Sequence, residues 1–158
     1  MIQISHAKEY NETPDNNRLV RKVKALDFNA IEQMAEEMAH LIPHGAKLIP
    51  APGRSGAAKS MLYLCYSLME RTYRTEVCDI IKGKHRESVY DAKKEGRILS
   101  GEDYGFYLNE PIPSGDVVLI DNVMATGNTM KHLLKLVPHA RICVHSIDSR
   151  HFNIKNLH

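Results

Sequence analysis

Cysteine is scarce in this chain and cannot frame a fold. The three residues, Cys65, Cys78 and Cys143, are odd in number, widely spaced, and form no C-x-x-C pair. That excludes a disulfide scaffold and a cysteine-based zinc site, and predicts reduced thiols in a cytosolic protein. Charge of one sign is equally scarce. The 21 basic and 19 acidic residues leave a net charge of +2, too little to argue for nucleic acid as a partner. Long apolar runs are missing too, and the N-terminus has no apolar segment of the signal-peptide kind. A soluble, cytoplasmic chain with no membrane partner is expected. The nine histidines contain no H-E-x-x-H spacing and read as scattered surface or core residues. No internal repeat or low-complexity segment is visible.

What is present is ordinary globular material. Hydrophobic residues make up 43% and charged residues 25% of 158, enough for one domain over 1–158 with a genuine core. Residues 1–27 read as polar and irregular, with a turn cluster at Thr13–Asn17 and a basic run of Arg18, Arg21, Lys22 and Lys24. That run suits a solvated face or a cover over a site. Asp27 or Asn29 can cap a helix near 29–42, where Ile31, Met34, Ala35, Met38 and Ile42 recur at helical spacing. Lys47–Ala51 reads as a strand, Pro52–Gly56 as a loop, and 57–71 as a helix carrying Leu62, Leu64, Cys65, Leu68 and Met69. A strand is expected over Thr75–Ile81, then a charged insert at 82–113 without core periodicity. A connection that long inside a compact domain is usually functional or mobile. The strand Val117–Asp121, a helix over 128–137 and a strand at Arg141–Ile147 complete the chain. This order predicts an α/β fold, a mainly parallel sheet flanked by helices.

The richest stretch is Val117–Thr129, V-V-L-I-D-N-V-M-A-T-G-N-T. A buried strand ends in an acid and an amide, and Ala125, Thr126, Gly127, Asn128 and Thr129 then turn into a helix. Ligands of open α/β sheets bind where strands end and helices begin. A Thr-Gly-Asn-Thr turn offers free N–H groups, two hydroxyls and a helix N-terminus, all suited to phosphate. Asp121 beside it suits sugar hydroxyls or a metal. The loop Pro50–Ser60 carries a second glycine-bearing turn. Counted from Gly53 it reads G-x-x-x-x-A-K-S, one residue away from a P-loop, with Asp121 as the acid of a Walker B strand. A P-loop NTPase is therefore an alternative. Against it, Ala58 replaces the second glycine, and such an enzyme has no use for another phosphate-shaped turn after its acid. Two cradles with an acid between them suit one ligand phosphorylated at both ends.

That pattern resembles the type I phosphoribosyltransferases, whose signature is an apolar strand, two acids, two variable residues and a Thr-Gly-x-Thr turn. Within that family the insert is similar to ComF-like members, through Lys82–Arg86, Arg97 and Gly105–Phe106. The resemblance implies a type I phosphoribosyltransferase-like core with a small hood, for which 1–28 is one source, and a flexible catalytic insert at 82–113. It implies phosphoribosyl pyrophosphate (PRPP) as donor, Mg²⁺ as cofactor and a nitrogen base as acceptor, with pyrophosphate released. Ala125, Thr126, Gly127, Asn128 and Thr129 would hold the 5′-phosphate. Gly53, Arg54, Ser55 and Arg97 would hold pyrophosphate, and Lys84 and Arg86 would act from the closing insert. Asp121 would meet the ribose hydroxyls and reach the metal indirectly, through ribose or water.

Asn122 departs from the signature, which has a second acid there. It keeps hydrogen-bonding capacity but removes a negative charge, so a non-catalytic PRPP- or nucleotide-binding module is a further alternative. Asn122→Asp is expected to keep or raise activity. Ala125 stands where purine-salvage members carry Asp, which lowers the hypoxanthine/guanine reading. Tyr104, Phe106 and Tyr107 suit base stacking or, more simply, anchoring of the insert. Family members commonly form homodimers.

Overall fold

The computed structural model describes residues 1–158. Strand β1 (Ile4–Glu9) is followed by helices α1 (Pro14–Lys24) and α2 (Phe28–Met38), strand β2 (Lys47–Pro50), helix α3 (Ser60–Arg71) and strand β3 (Glu76–Val77). The insert holds β4 (Ile81–Lys82), α4 (Val89–Lys94), α5 (Gly101–Tyr104) and β5 (Tyr107–Leu108). Then come β6 (Val117–Met124), α6 (Asn128–Leu136) and β7 (Arg141–Ile147).

Five strands form one parallel sheet in the order β1-β7-β6-β2-β3. The expected α/β class holds. Val117–Ile120 are all buried because helices cover both faces of the sheet at β6. Val118 and Ile120 pack with α1, α2 and α3 on one face. Leu119 packs with Ile49, Ile142, Val144 and α6 on the other. From β2 the chain winds outward to β3 through α3, and from β6 outward the other way to β7 through α6. The sheet therefore changes direction between β2 and β6. The crevice beyond the carboxyl ends of those two strands is where such a sheet binds its ligand.

Four expectations need correcting. Residues 1–27 are not irregular: β1 pairs with β7, and α1 buries Leu19, Val20 and Val23. The polar composition hid a strand whose one edge is open and a helix with a narrow apolar stripe. Thr13 and Pro14 start that helix, Thr13 Oγ1 accepting from the Asn16 N–H at 3.2 Å. The strand expected over 75–81 is two short ones, β3 and β4, parted at Cys78–Ile80. The helix expected from 57 starts at Ser60, because Gly53–Lys59 forms the loop. The insert, read as coreless, packs its own small core of Ala92, Leu99 and Tyr104 and an antiparallel β4–β5 pair. Asp27, of the two cap candidates, is the one used, accepting from the Ala30 N–H.

Candidate functional site

The β6 turn forms one wall. Gly127 takes φ +89° as the residue before α6, a left-handed conformation that glycine adopts without penalty. Thr126 Oγ1 accepts from the Asn128 N–H at 3.2 Å. The N–H groups of Gly127, Thr129 and Met130 have no acceptor within the chain. They are the free donors that a helix N-terminus offers an anion. The C-terminal tail braces the turn from outside, with Asn156 Nδ2 donating to the Thr126 carbonyl at 3.0 Å. A Cβ on Gly127 would meet Leu157 and Phe152 at 3.1 and 3.2 Å.

The β2 turn forms the other wall. The Gly53 N–H donates to Ala57 O and the Gly56 N–H to Gly53 O, both at 3.0 Å. This closes a tight turn whose apex, Arg54 and Ser55, is exposed and keeps its N–H groups unpaired. It is not the wide arch over a helix end that a P-loop needs. Two further bonds of 2.8 Å, Gly83 N–H to Gly56 O and Arg86 N–H to Arg54 O, staple the turn to the insert. Gly56 has φ +87°, and a Cβ there would stand 2.1 Å from the Gly83 carbonyl oxygen. Only glycine fits.

Asp121 lies half-buried within β6, three residues before its last residue Met124 and one past Ile120, which pairs with Pro50 at the end of β2. Burial pushes its carboxyl up to about 6; the Asn122 N–H, bonded to Oδ1 at 2.8 Å, and the Lys24 and Arg86 charges pull the other way. Neither cation forms an ion pair with it. A carboxyl held this way, beside cations without being paired to them, makes Asp121 a candidate functional residue. Burial lowers the Arg86 guanidinium from its ordinary value. That guanidinium lies over the Tyr104 ring, 4.7 Å from its centroid, and its buried Nε has no acceptor.

The other expected residues fall into two groups. Gly53, Arg54, Ser55, Arg86 and Lys84 share one stapled loop pair, the Lys84 N–H donating to the Tyr104 carbonyl at 2.8 Å. Arg97 is not joined to them. It is held on the exposed surface by Glu87 and Glu95, which neutralise it. Asn122 is buried and uses its side-chain oxygen on the Val123 N–H at 2.7 Å. The Thr129 hydroxyl and the Asn128 amide are engaged with the insert, at Tyr104 and Leu99.

Sequence reasoning missed Lys24 as an individual. Its basic run was visible, but only the fold brings the last residue of α1 toward Asp121, while Arg18 pairs with Asp15. As for a metal, no three carboxylate, histidine or cysteine side chains converge anywhere in the chain. Asp121 as a lone carboxylate fits Mg²⁺ only when the ion arrives on ligand phosphates, the usual way this ion is held. The three cysteines are free; burial raises the Cys65 thiol and pushes Cys143 up to about 12, while Cys78 is half-buried. No helix is long and apolar enough to cross a membrane.

No family model matches the sequence, and no curated protein matches it. Among solved structures, the chain is similar to a hypoxanthine phosphoribosyltransferase from Staphylococcus aureus in two crystal forms. The orthorhombic form gives a TM-score of 0.45 and 15% identity over 78% of this chain and 66% of that one. The tetragonal form gives 0.46 and 14% over 77% and 65%. The chain thus spans just under two thirds of the length of those structures. The chemistry of the site rests on its own residues.

Proposed function

We propose that this protein is a Mg²⁺-dependent phosphoribosyltransferase, cytoplasmic, which transfers 5-phosphoribosyl from PRPP to a nitrogen base and releases pyrophosphate. One observation carries the reading: two turns with unpaired N–H groups stand at the ends of the neighbouring strands β2 and β6, with Asp121 between them. A ligand with phosphate at one end, pyrophosphate at the other and a sugar in the middle matches that spacing of chemistry.

In this reading the β6 turn anchors the 5′-phosphate through Gly127, Thr129 and Met130 N–H groups. Arg54, Ser55 and Arg86 would take the leaving pyrophosphate, and Mg²⁺ carried on its oxygens would offset part of its charge. Asp121 accepts from the ribose hydroxyls and opposes the positive charge that develops at the anomeric carbon as its bond to pyrophosphate lengthens. Positioning and preorganised charge supply the rate. The ordered insert, whose Lys84 side chain lies along Gly105, would exclude water from the reacting carbon.

A binding module without turnover is the second reading, and Asn122 favours it, since an amide stands next to Asp121 where a second carboxylate is expected. A thermal-shift panel with PRPP, ATP and nucleoside monophosphates, each with and without Mg²⁺, separates the possibilities. The transferase requires PRPP stabilisation together with pyrophosphate release on adding a base. Stabilisation by PRPP without release across a panel of bases selects the module. Stabilisation by ATP but not PRPP refutes the transferase and any PRPP-binding module alike.

A further inference from the structure

The insert and the β6 turn meet at one side chain. Tyr104 is fully buried, and its hydroxyl lies 3.0 Å from Thr129 Oγ1 and accepts from Asn128 Nδ2 at 3.3 Å. An amide nitrogen can only donate, so the Tyr104 oxygen is an acceptor toward Asn128. Its own hydrogen, buried, then needs an acceptor, and Thr129 Oγ1 is the one in reach. With Tyr104 donating to it, the Thr129 hydroxyl keeps its hydrogen for a third group. On the other side, the same ring carries the Arg86 guanidinium at 4.7 Å and is stacked on Phe106 at 4.8 Å.

We propose that Tyr104 is the positioning residue that ties the two anion-binding halves together, turning Thr129 into a donor toward the sugar phosphate and holding Arg86 toward the pyrophosphate. This rests on the two-phosphate reading of the site. It gives the insert a role distinct from covering: its core residue sets both the spacing and the hydrogen-bond polarity of the site.

Calorimetric binding of ribose 5-phosphate and of pyrophosphate, measured separately, tests it. Tyr104→Phe keeps the ring and removes the hydroxyl. It should weaken ribose 5-phosphate by about fivefold, the scale of one hydrogen bond, and leave pyrophosphate within about twofold. Tyr104→Leu should also weaken pyrophosphate, by about threefold or more, through the lost guanidinium–ring contact. Thr129→Val should match Tyr104→Phe, and the double variant should bind ribose 5-phosphate no worse than Thr129→Val alone. Unchanged ribose 5-phosphate binding in Tyr104→Phe, or losses that multiply in the double variant, overturns the proposal while leaving the two-phosphate reading standing. Failure of the unmodified protein to bind either ligand overturns both.

Discussion

Replacing Asp121 by asparagine should stabilise this protein while removing the group on which its proposed chemistry depends. Burial holds the Asp121 carboxyl at about 6, against an ordinary 3.8. The folded value lies above the unfolded one, so folding favours the protonated form. The stability linked to this group is present in full below the unfolded value, and is lost as the pH rises through the folded value near 6. About two units at roughly 1.4 kcal/mol each give a ceiling of ~3 kcal/mol. The carboxyl retains some exposure to water, which screens part of that cost, and about 2 kcal/mol remains as the expected gain. Urea unfolding at pH 7.5 should show that gain with an unchanged slope, and at pH 4 it should shrink to roughly 0.5 kcal/mol. The variant should also lose PRPP binding. Equal gains at both pH values would show that the charge is not the cause, and a loss at pH 7.5 would refute the reasoning outright.

Asn122→Asp places a charge where the side chain is 5% exposed and next to Asp121. It should cost about 2 kcal/mol at pH 7.5 and less at pH 5, read by urea unfolding, because its folded pKa is raised and the stability is lost as pH rises. Gly56→Ala forces a Cβ to 2.1 Å from the Gly83 carbonyl at φ +87°. It should cost about 2 kcal/mol or more and expose 84–104 to limited proteolysis, since the staple to the insert breaks. Arg86→Lys should weaken pyrophosphate binding about tenfold, as an ammonium replaces neither the fork nor the ring contact. Arg97→Ala should leave pyrophosphate binding within about twofold, because Glu87 and Glu95 already neutralise that side chain; calorimetry checks both arginine variants.

The sheet core was legible because burial on both faces leaves a plain apolar run. Val117–Ile120 and Ile142–Val144 could be read as strands from composition alone. So could the β6 turn, where a positive φ demands glycine and a helix start rewards threonine. β1 escaped because its residues, Ile4–Glu9, are mostly half-exposed and only one edge is paired. α1 escaped because four basic residues outweigh Leu19, Val20 and Val23 in any composition window. The core of the insert is three residues separated by charged segments, too few to show a period. Within the site, residue types could be read but partners could not. Arg97 and Arg86 look alike in sequence, yet one faces two carboxylates and the other a tyrosine ring beside Asp121. Asn122 looked like a residue facing the ligand; the structure buries it against its own backbone.

A crystal structure of the protein with PRPP and Mg²⁺ tests the central claim most directly. The account predicts the 5′-phosphate on the N–H groups of Gly127, Thr129 and Met130, the ribose hydroxyls on Asp121, and pyrophosphate between Arg54, Ser55 and Arg86. Density for the pyrophosphate at the β6 turn, or a ligand bound away from Asp121, would contradict it.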